Sequence, residues 1–494
     1  ALTKPDKTQF AWGDGSQGSA VKAIERVADL TGNEEFLYYA SYGESGTEPD
    51  FKSYYLPNSK LGVMRNTWAT NGVSAFIIGR TGGNHAHAHT NHISLYAYNR
   101  CLLNAGGSAS YDSRHPWYDW MLNRTKSQNT VEINGVGQSK TGSNTVSMAI
   151  NPLVDFFSGE SNAYKTTFNR VHTRKLTYLK NKKFFIVSDF LEAQDSNSAT
   201  YDQAWNGLVE SNWSMNEQTK VAKTNFSSGA NLEIVPVNPQ TYTKSLIDKS
   251  VGKDEKGQLH EMDQISYQIT SAGNVSYNTI LYPFEGVADY EIAATPIEVI
   301  GETENMSSAF SASLPDGNML TYYVSNKPDD LRSFSDFDVK AGMFYQERNT
   351  NNDIKFLAGA DITSIAKNGK NYVKSSKKIT DISVDYTGGV MQIRCSDKFN
   401  FNKDYLVVHS PLNSKVFFND EEVPYIKLND TVVLGKYDLI LSTTEQNGKR
   451  TATTPEIKIG YPITKNGTTY TAWLTLADST AISGDAAWDG RIPL

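Results

Sequence analysis

Four of the chain's eight histidines fall within eight residues, in the segment Gly82-Gly83-Asn84-His85-Ala86-His87-Ala88-His89-Thr90-Asn91-His92. Imidazole titrates near neutrality, ligates metals and donates hydrogen bonds to anions, so the clustering calls for a chemical or a structural reason. Read as a strand, the segment places His85, His87 and His89 on one face, where they can share a metal or converge on an anionic ligand, with His92 on the other. The competing reading is a polar strand whose histidines pair with their neighbours, because a His-rich tract is by itself only a compositional signal.

The residues that follow bear on that choice. After Ile93-Ser94-Leu95-Tyr96-Ala97-Tyr98-Asn99-Arg100-Cys101-Leu102-Leu103 come Gly106-Gly107 and Ser110-Tyr111-Asp112-Ser113-Arg114. Gln128-Asn129-Thr130-Val131 runs on to Asn134-Gly135-Val136-Gly137-Gln138, and His172-Thr173-Arg174 precedes Phe184-Phe185-Ile186-Val187-Ser188-Asp189. In this order the blocks resemble the heparinase II/III-like polysaccharide lyases, in their C-terminal β-sheet half, over roughly residues 55–195. The resemblance implies a lyase that cuts an acidic polysaccharide by β-elimination. His85 matches the first His of the family's His-x-His pair and is the catalytic candidate, neutralising a uronate carboxylate so that the adjacent carbon can lose its proton. Asn84, His89, Tyr111 and Arg114 are the candidate substrate-binding residues. His87 matches the second His, which in relatives binds a structural zinc. Ala105 and Gln128 stand where two other family ligands would be, so a divalent metal here is doubtful unless His89 and a neighbour rebuild the site.

The same residues have plainer readings. Arg114 either grips a carboxylate bidentately or pairs with Asp112 or Asp119 on its own loop. Trp117 and Trp120 are sugar platforms or core aromatics. His172 and Arg174 read as supports of the sheet. Alginate is expected ahead of a heparin- or chondroitin-type glycosaminoglycan, because the motif lacks the dense Lys/Arg runs that sulfated chains favour. A non-catalytic carbohydrate-binding β-sandwich is the alternative from another class. A glycoside hydrolase would need two flanking carboxylates where the segment offers imidazoles.

Positioning such residues falls to strands. Gly72–Gly79, Val131–Asn134, Arg174–Leu179 and Phe184–Asp189 read as short strands, with hairpin turns at Lys180–Lys183, Asn134-Gly135 and Asp316-Gly317-Asn318. The expected fold is mainly β, with large stacked antiparallel sheets. One helix is expected near the start, with Val21, Ile24, Val27, Ala28 and Leu30 on one face, Ser19 as cap and Gly32-Asn33 as stop. Three segments are expected: 1–50 as the helical end of a toroid domain and linker, 51–365 as the sandwich, and 366–494 as a small C-terminal β domain. The last boundary rests on a Lys/Ser/Asn-rich stretch at 364–378. The family's (α/α) toroid, with its catalytic Tyr, is almost wholly missing from these residues and is the expected partner half.

Composition sets outer bounds. Apolar residues make up 39% and charged residues 20% of 494, a globular balance. A formal charge of −7 argues against a broad basic surface for nucleic acid, though not against a local basic cleft. Cys101 and Cys395 read as buried thiols rather than a disulfide. No apolar run reaches the roughly 18 residues of a membrane span. Abundant Asn, Ser, Thr and Lys with few cysteines suits a secreted or periplasmic bacterial protein.

Overall fold

The computed structural model describes residues 2–15, 18–82, 87–104, 107–254, 258–287, 291–410, 415–428 and 430–435, and the backbone of strands at 443–446, 449–452, 457–465 and 468–476. It divides into two compact units, Ala1–Pro296 with Glu302–Asp316, and Ile297–Gly301 with Gly317–Leu494.

The first unit starts with the expected helix, α1 (Val21–Thr31), closed by Gly32 in the left-handed conformation. Asn33 then caps α2 (Glu34–Ala40), its side chain accepting from the Glu35 and Phe36 amides. The expected apolar face of α1 is only partly covered: Ala28 is buried, whereas Leu30 is 77% exposed.

Five sequential antiparallel strands follow: β1 (Tyr54–Leu56), β2 (Leu61–Arg65), β3 (Ser74–Ile78), β4 (His92–Ala97) and β5 (Arg100–Leu103). Both faces of β2, β3 and β4 are buried, because alternate residues feed different cores. Met64, Ala75, Ile77, Ile93 and Leu95 enter the main core. Leu61, Val63, Phe76, Ile78 and Tyr96 form a second cluster closed by Phe10, which stacks on Phe76 with centroids 5.3 Å apart. Residues 1–50 thus include a cover for this sheet and belong to the same unit.

The other strands build two further sheets. An eight-stranded sheet contains β7 (Asn144–Ile150), β8 (Val154–Tyr164), β9 (Arg170–Leu179) and β10 (Phe184–Ala193) in sequential pairing, with Val275–Glu285 and Ala230–Pro236 beyond β10. A four-stranded sheet places β6 (Val131–Ile133) beside β11 (Ala199–Asn206), followed by Leu259–Ser271 and Lys244–Lys253. Leu176, Phe185 and Val187 of the first meet Tyr201, Trp205 and Tyr267 of the second in the core that also receives β2–β4. These are the stacked antiparallel layers expected from the strand pattern.

One ion pair ties the layers together. Arg174 on β9 and Asp189 on β10 are register partners, and both side chains are fully buried. Arg174 donates to Asp189 through Nε and Nη2, each at 2.7 Å, while its Nη1 donates to the Asn91 and Asn129 carbonyls at 2.8 and 2.6 Å. Asp189 also accepts from Gln203 of β11 and bonds His172 Nε2. Burial raises the Asp189 carboxyl, but Arg174 and His172 hold it well below the usual carboxylate range. The supporting role expected of His172 and Arg174 is the one they have.

The second unit is a further antiparallel sheet, in which Met319–Ser325, Met343–Arg348, Ile354–Lys367, Lys370–Asp385, Tyr405–His409 and Thr431–Gly435 are successive neighbours. The boundary expected at 365/366 is corrected: it falls inside a hairpin whose arms are Ile354–Lys367 and Lys370–Asp385. Asn368 and Gly369, with φ of 49° and 71°, make its turn, and the Lys and Ser residues of 370–378 lie on its second arm. Both cysteines are free thiols. Among the described residues no helix is long and apolar enough to cross a membrane.

Removing one member of a buried pair strands the other in a low dielectric. Arg174→Leu should lose about 3–5 kcal/mol in urea denaturation, and adding Asp189→Leu should recover part of it. A double variant as unstable as the two single losses summed would show that the pair is not coupled.

Candidate functional site

The histidine segment leaves the end of β3 and enters β4. Asn84 and His85 lie outside the described residues. From His87 to Asn91 the chain is a loop and not the expected strand, so the one-face pattern of alternating histidines does not apply. Its anchors come from the Leu122–Gln138 stretch. The Ala88 amide donates to the Leu122 carbonyl, Thr125 Oγ1 donates to the Ala88 carbonyl, and Gln138 both accepts from the Thr90 amide and donates to its carbonyl. Two sequence blocks some forty residues apart therefore form one structural unit.

Each described imidazole has a distinct environment. His92 is fully buried; Nδ1 accepts the Asn129 amide at 3.0 Å, so the proton sits on Nε2, which donates to Ser94 Oγ at 2.8 Å. Burial drives it far below its ordinary range. His89 is 2% exposed, and burial, followed by the charges of His87, Arg80 and Lys140, brings it down to about 3. Direct contact with a ligand, expected of His89, has no open face here, because the loop turns its ring inward. His87 is also buried, with Nε2 2.8 Å from Asp14 Oδ1; burial lowers it and Asp14 partly offsets that. The His87 and His89 rings lie 6.0 Å apart.

Asp14 was not legible from sequence. It arrives from the N-terminal cover, seventy-three residues from His87, and it also raises the hydroxyl of Tyr111 through its charge and a hydrogen bond. Tyr111 is 75% exposed, an open position for the substrate contact expected of it. Arg114 stays on its own loop, gripping Asp112 through Nε and Nη2 at 3.0 and 2.8 Å with its side chain 88% exposed. The intraloop pairing, rather than a reach toward the histidines, describes it.

Two cations that sequence proximity did not suggest flank the loop. The chain at Arg80–Gly82 runs beside Lys140–Gly142: Thr81 Oγ1 donates to the Gly142 carbonyl at 2.5 Å, and a Cβ on Gly82 would stand 2.4 Å from the Lys140 carbonyl oxygen. Gly82, at φ +72°, is required there on both counts. Arg80 also lies 5.9 Å from the ring of Trp12, which is 37% exposed.

Among the described residues no three His, Cys, Asp or Glu gather where a metal ion could sit. His87 Nε2 is taken up by Asp14, and Gln128 is buried with its amide donating to Ser127 Oγ at 3.1 Å. The described residues do not fit the family zinc.

Residues 51–279 match the family described as heparinase II/III-like, C-terminal. Among solved structures, a mutant of the heparan sulfate lyase HepC from Pedobacter heparinus is similar at 18% identity and a TM-score of 0.58, covering 66% of this chain and 51% of that one. A heparinase III is similar at 16% identity and 0.55, covering 66% and 52%. The chain spans about half the length of these structures. No match is found among curated proteins.

The buried imidazoles make stability depend on pH. His89 ordinarily titrates at 6.5 and in the fold at about 3, so the unfolded chain takes up the proton first. Its contribution is complete above pH 6.5 and is lost as pH falls toward 3. The Tm should decline across that window, and His89→Gln should flatten the decline, with His87 and His92 supplying the remainder. An identical pH profile in the variant would contradict this burial.

Proposed function

We propose that the chain is the sheet-bearing part of a polysaccharide lyase acting on a glycosaminoglycan. The heparinase II/III-like match, which spans the histidine segment, carries the reading. Alginate, the polymer expected from the sequence, is not supported by these matches. That expectation rested on the lack of basic runs near the motif in sequence, whereas the fold sets the Lys140 segment beside that of Arg80, and the similar structures are heparan sulfate lyases and heparinases.

In this reading His85 donates to the carboxylate of a bound uronic acid, lowering the cost of the charge that builds up as the adjacent carbon loses its proton. A base takes that proton, the C–H electron pair forms the C=C bond, and the bond to the departing sugar oxygen breaks as that oxygen receives a proton. Tyr111 and Asn84 contact the sugar. His87 and His89, neutral and buried, hold the loop. The acidic polysaccharide and an (α/α) toroid half carrying further catalytic groups are the proposed partners.

Elimination leaves an unsaturated uronate that absorbs in the ultraviolet. The longest natural form of the protein should generate this absorbance on heparan sulfate or chondroitin sulfate and not on alginate. His85→Ala should cut the rate by about 10²-fold or more, with the Tm unchanged. Normal turnover in that variant removes the assignment of His85. Binding with no absorbance on any polymer would instead make this a carbohydrate-binding sandwich.

A further inference from the structure

Arg80 and Lys140 bond neutral acceptors, as Lys7, Lys60 and Arg100 also do, and so differ from the carboxylate-paired cations of this unit. Lys126, Arg124, Arg170, Arg174 and Lys180 each meet a carboxylate within 2.8 Å. Arg80 donates to the Gly82 carbonyl at 2.8 Å and lies over Trp12, and Lys140 donates to Asn123 Oδ1 at 2.8 Å. Both are partly exposed, and among the described residues neither forms an ion pair. The carboxylates of Asp14 and Asp119 act on Lys140 only at longer range, and Asp14 is bonded to His87. The two segments are locked side by side by the Thr81–Gly142 bond and the Gly82 contact. Burial lowers both His87 and His89, with Asp14 offsetting part of this at His87, which leaves Arg80 and Lys140 as the positive side chains beside them among the described residues.

We propose that Arg80 and Lys140 form an anion clamp that grips an acidic substituent, carboxylate or sulfate ester, on a sugar of the bound chain, with Trp12 as the apolar platform beside it. Cations already bonded to neutral acceptors are held in place without having their charge cancelled, which lowers the ordering cost of binding an anion. Arginine supplies planar two-point contact and lysine a point charge. Bidentate contact with an exposed aromatic suits a sugar ring with an anionic arm. The clamp deepens the lyase reading by assigning recognition of the acidic group, yet it can be tested without turnover.

The test is titration calorimetry of the intact protein with a heparan sulfate tetrasaccharide, its desulfated counterpart and a neutral tetrasaccharide. Arg80→Gln and Lys140→Gln should each weaken binding of the sulfated chain about tenfold, as expected for loss of one charge-assisted contact, and added salt should narrow the difference. Lys140→Arg should bind like the unmodified protein. Equal weakening for the desulfated chain identifies the carboxylate as the group held; weakening confined to the sulfated chain identifies the ester. Unchanged affinity in both Gln variants with retained Tm, or equal binding of the neutral chain, overturns the clamp. Loss of binding in a protein that shows no elimination would leave the clamp standing and the lyase reading fallen.

Discussion

A guanidinium sealed among three sheets has few ways to satisfy its donors, and Arg174 uses that constraint to fix the site. Two of its nitrogens grip Asp189 on the neighbouring strand, and the third reaches the carbonyls of Asn91 and Asn129. Asn91 closes the histidine loop and Asn129 leads into β6, so one charge sets where both segments lie. Asp189 extends the tie to β11 through Gln203. Shifting any of these segments would leave a donor or acceptor unpaired inside the core, a large penalty in a low dielectric. The loop is thus positioned by the scaffold beneath it.

That scaffold separates two tasks that a histidine cluster invites one to merge. The imidazoles of His89 and His92 are buried, and desolvation keeps them uncharged across the physiological range. His92 bonds the Asn129 amide and Ser94, and the ring of His89 packs in the loop wall. Charge is carried by Arg80 and Lys140, whose segments are brought together at the end of β3. Asp14 joins the two tasks, holding buried His87 while acting on exposed Tyr111.

Local signals in the sequence were enough for much of this. The 3.6-residue period and Gly32 mark α1, the Lys180–Lys183 cluster marks the β9–β10 turn, and strand patterning without intervening helices marks stacked sheets. The motif blocks around His87, Gln128–Gln138 and His172–Asp189 do meet in space. What could not be read is what long-range contact decides. Asp14 and His87 are too distant in sequence to suggest a pair, and the nearness of Arg80 to Lys140 exists only once two loops lie side by side. Alternation of His with Ala mimics a strand, yet the backbone at His87–Asn91 is committed to hydrogen bonds with Leu122–Gln138 and leaves the ladder. At 364–378 composition suggested a domain boundary, while the Asn368-Gly369 pair carried the truer signal of a tight hairpin.

The outer face of the five-stranded sheet has a consequence for handling the protein. Leu61, Val63, Phe76, Ile78 and Tyr96 form a continuous apolar strip, and Phe10, with Leu2 beside it, is the cap that separates it from water. Trimming by a protease just beyond Phe10 would turn that strip into a sticky ribbon, and truncated molecules would clump through it while their remaining layers stayed folded.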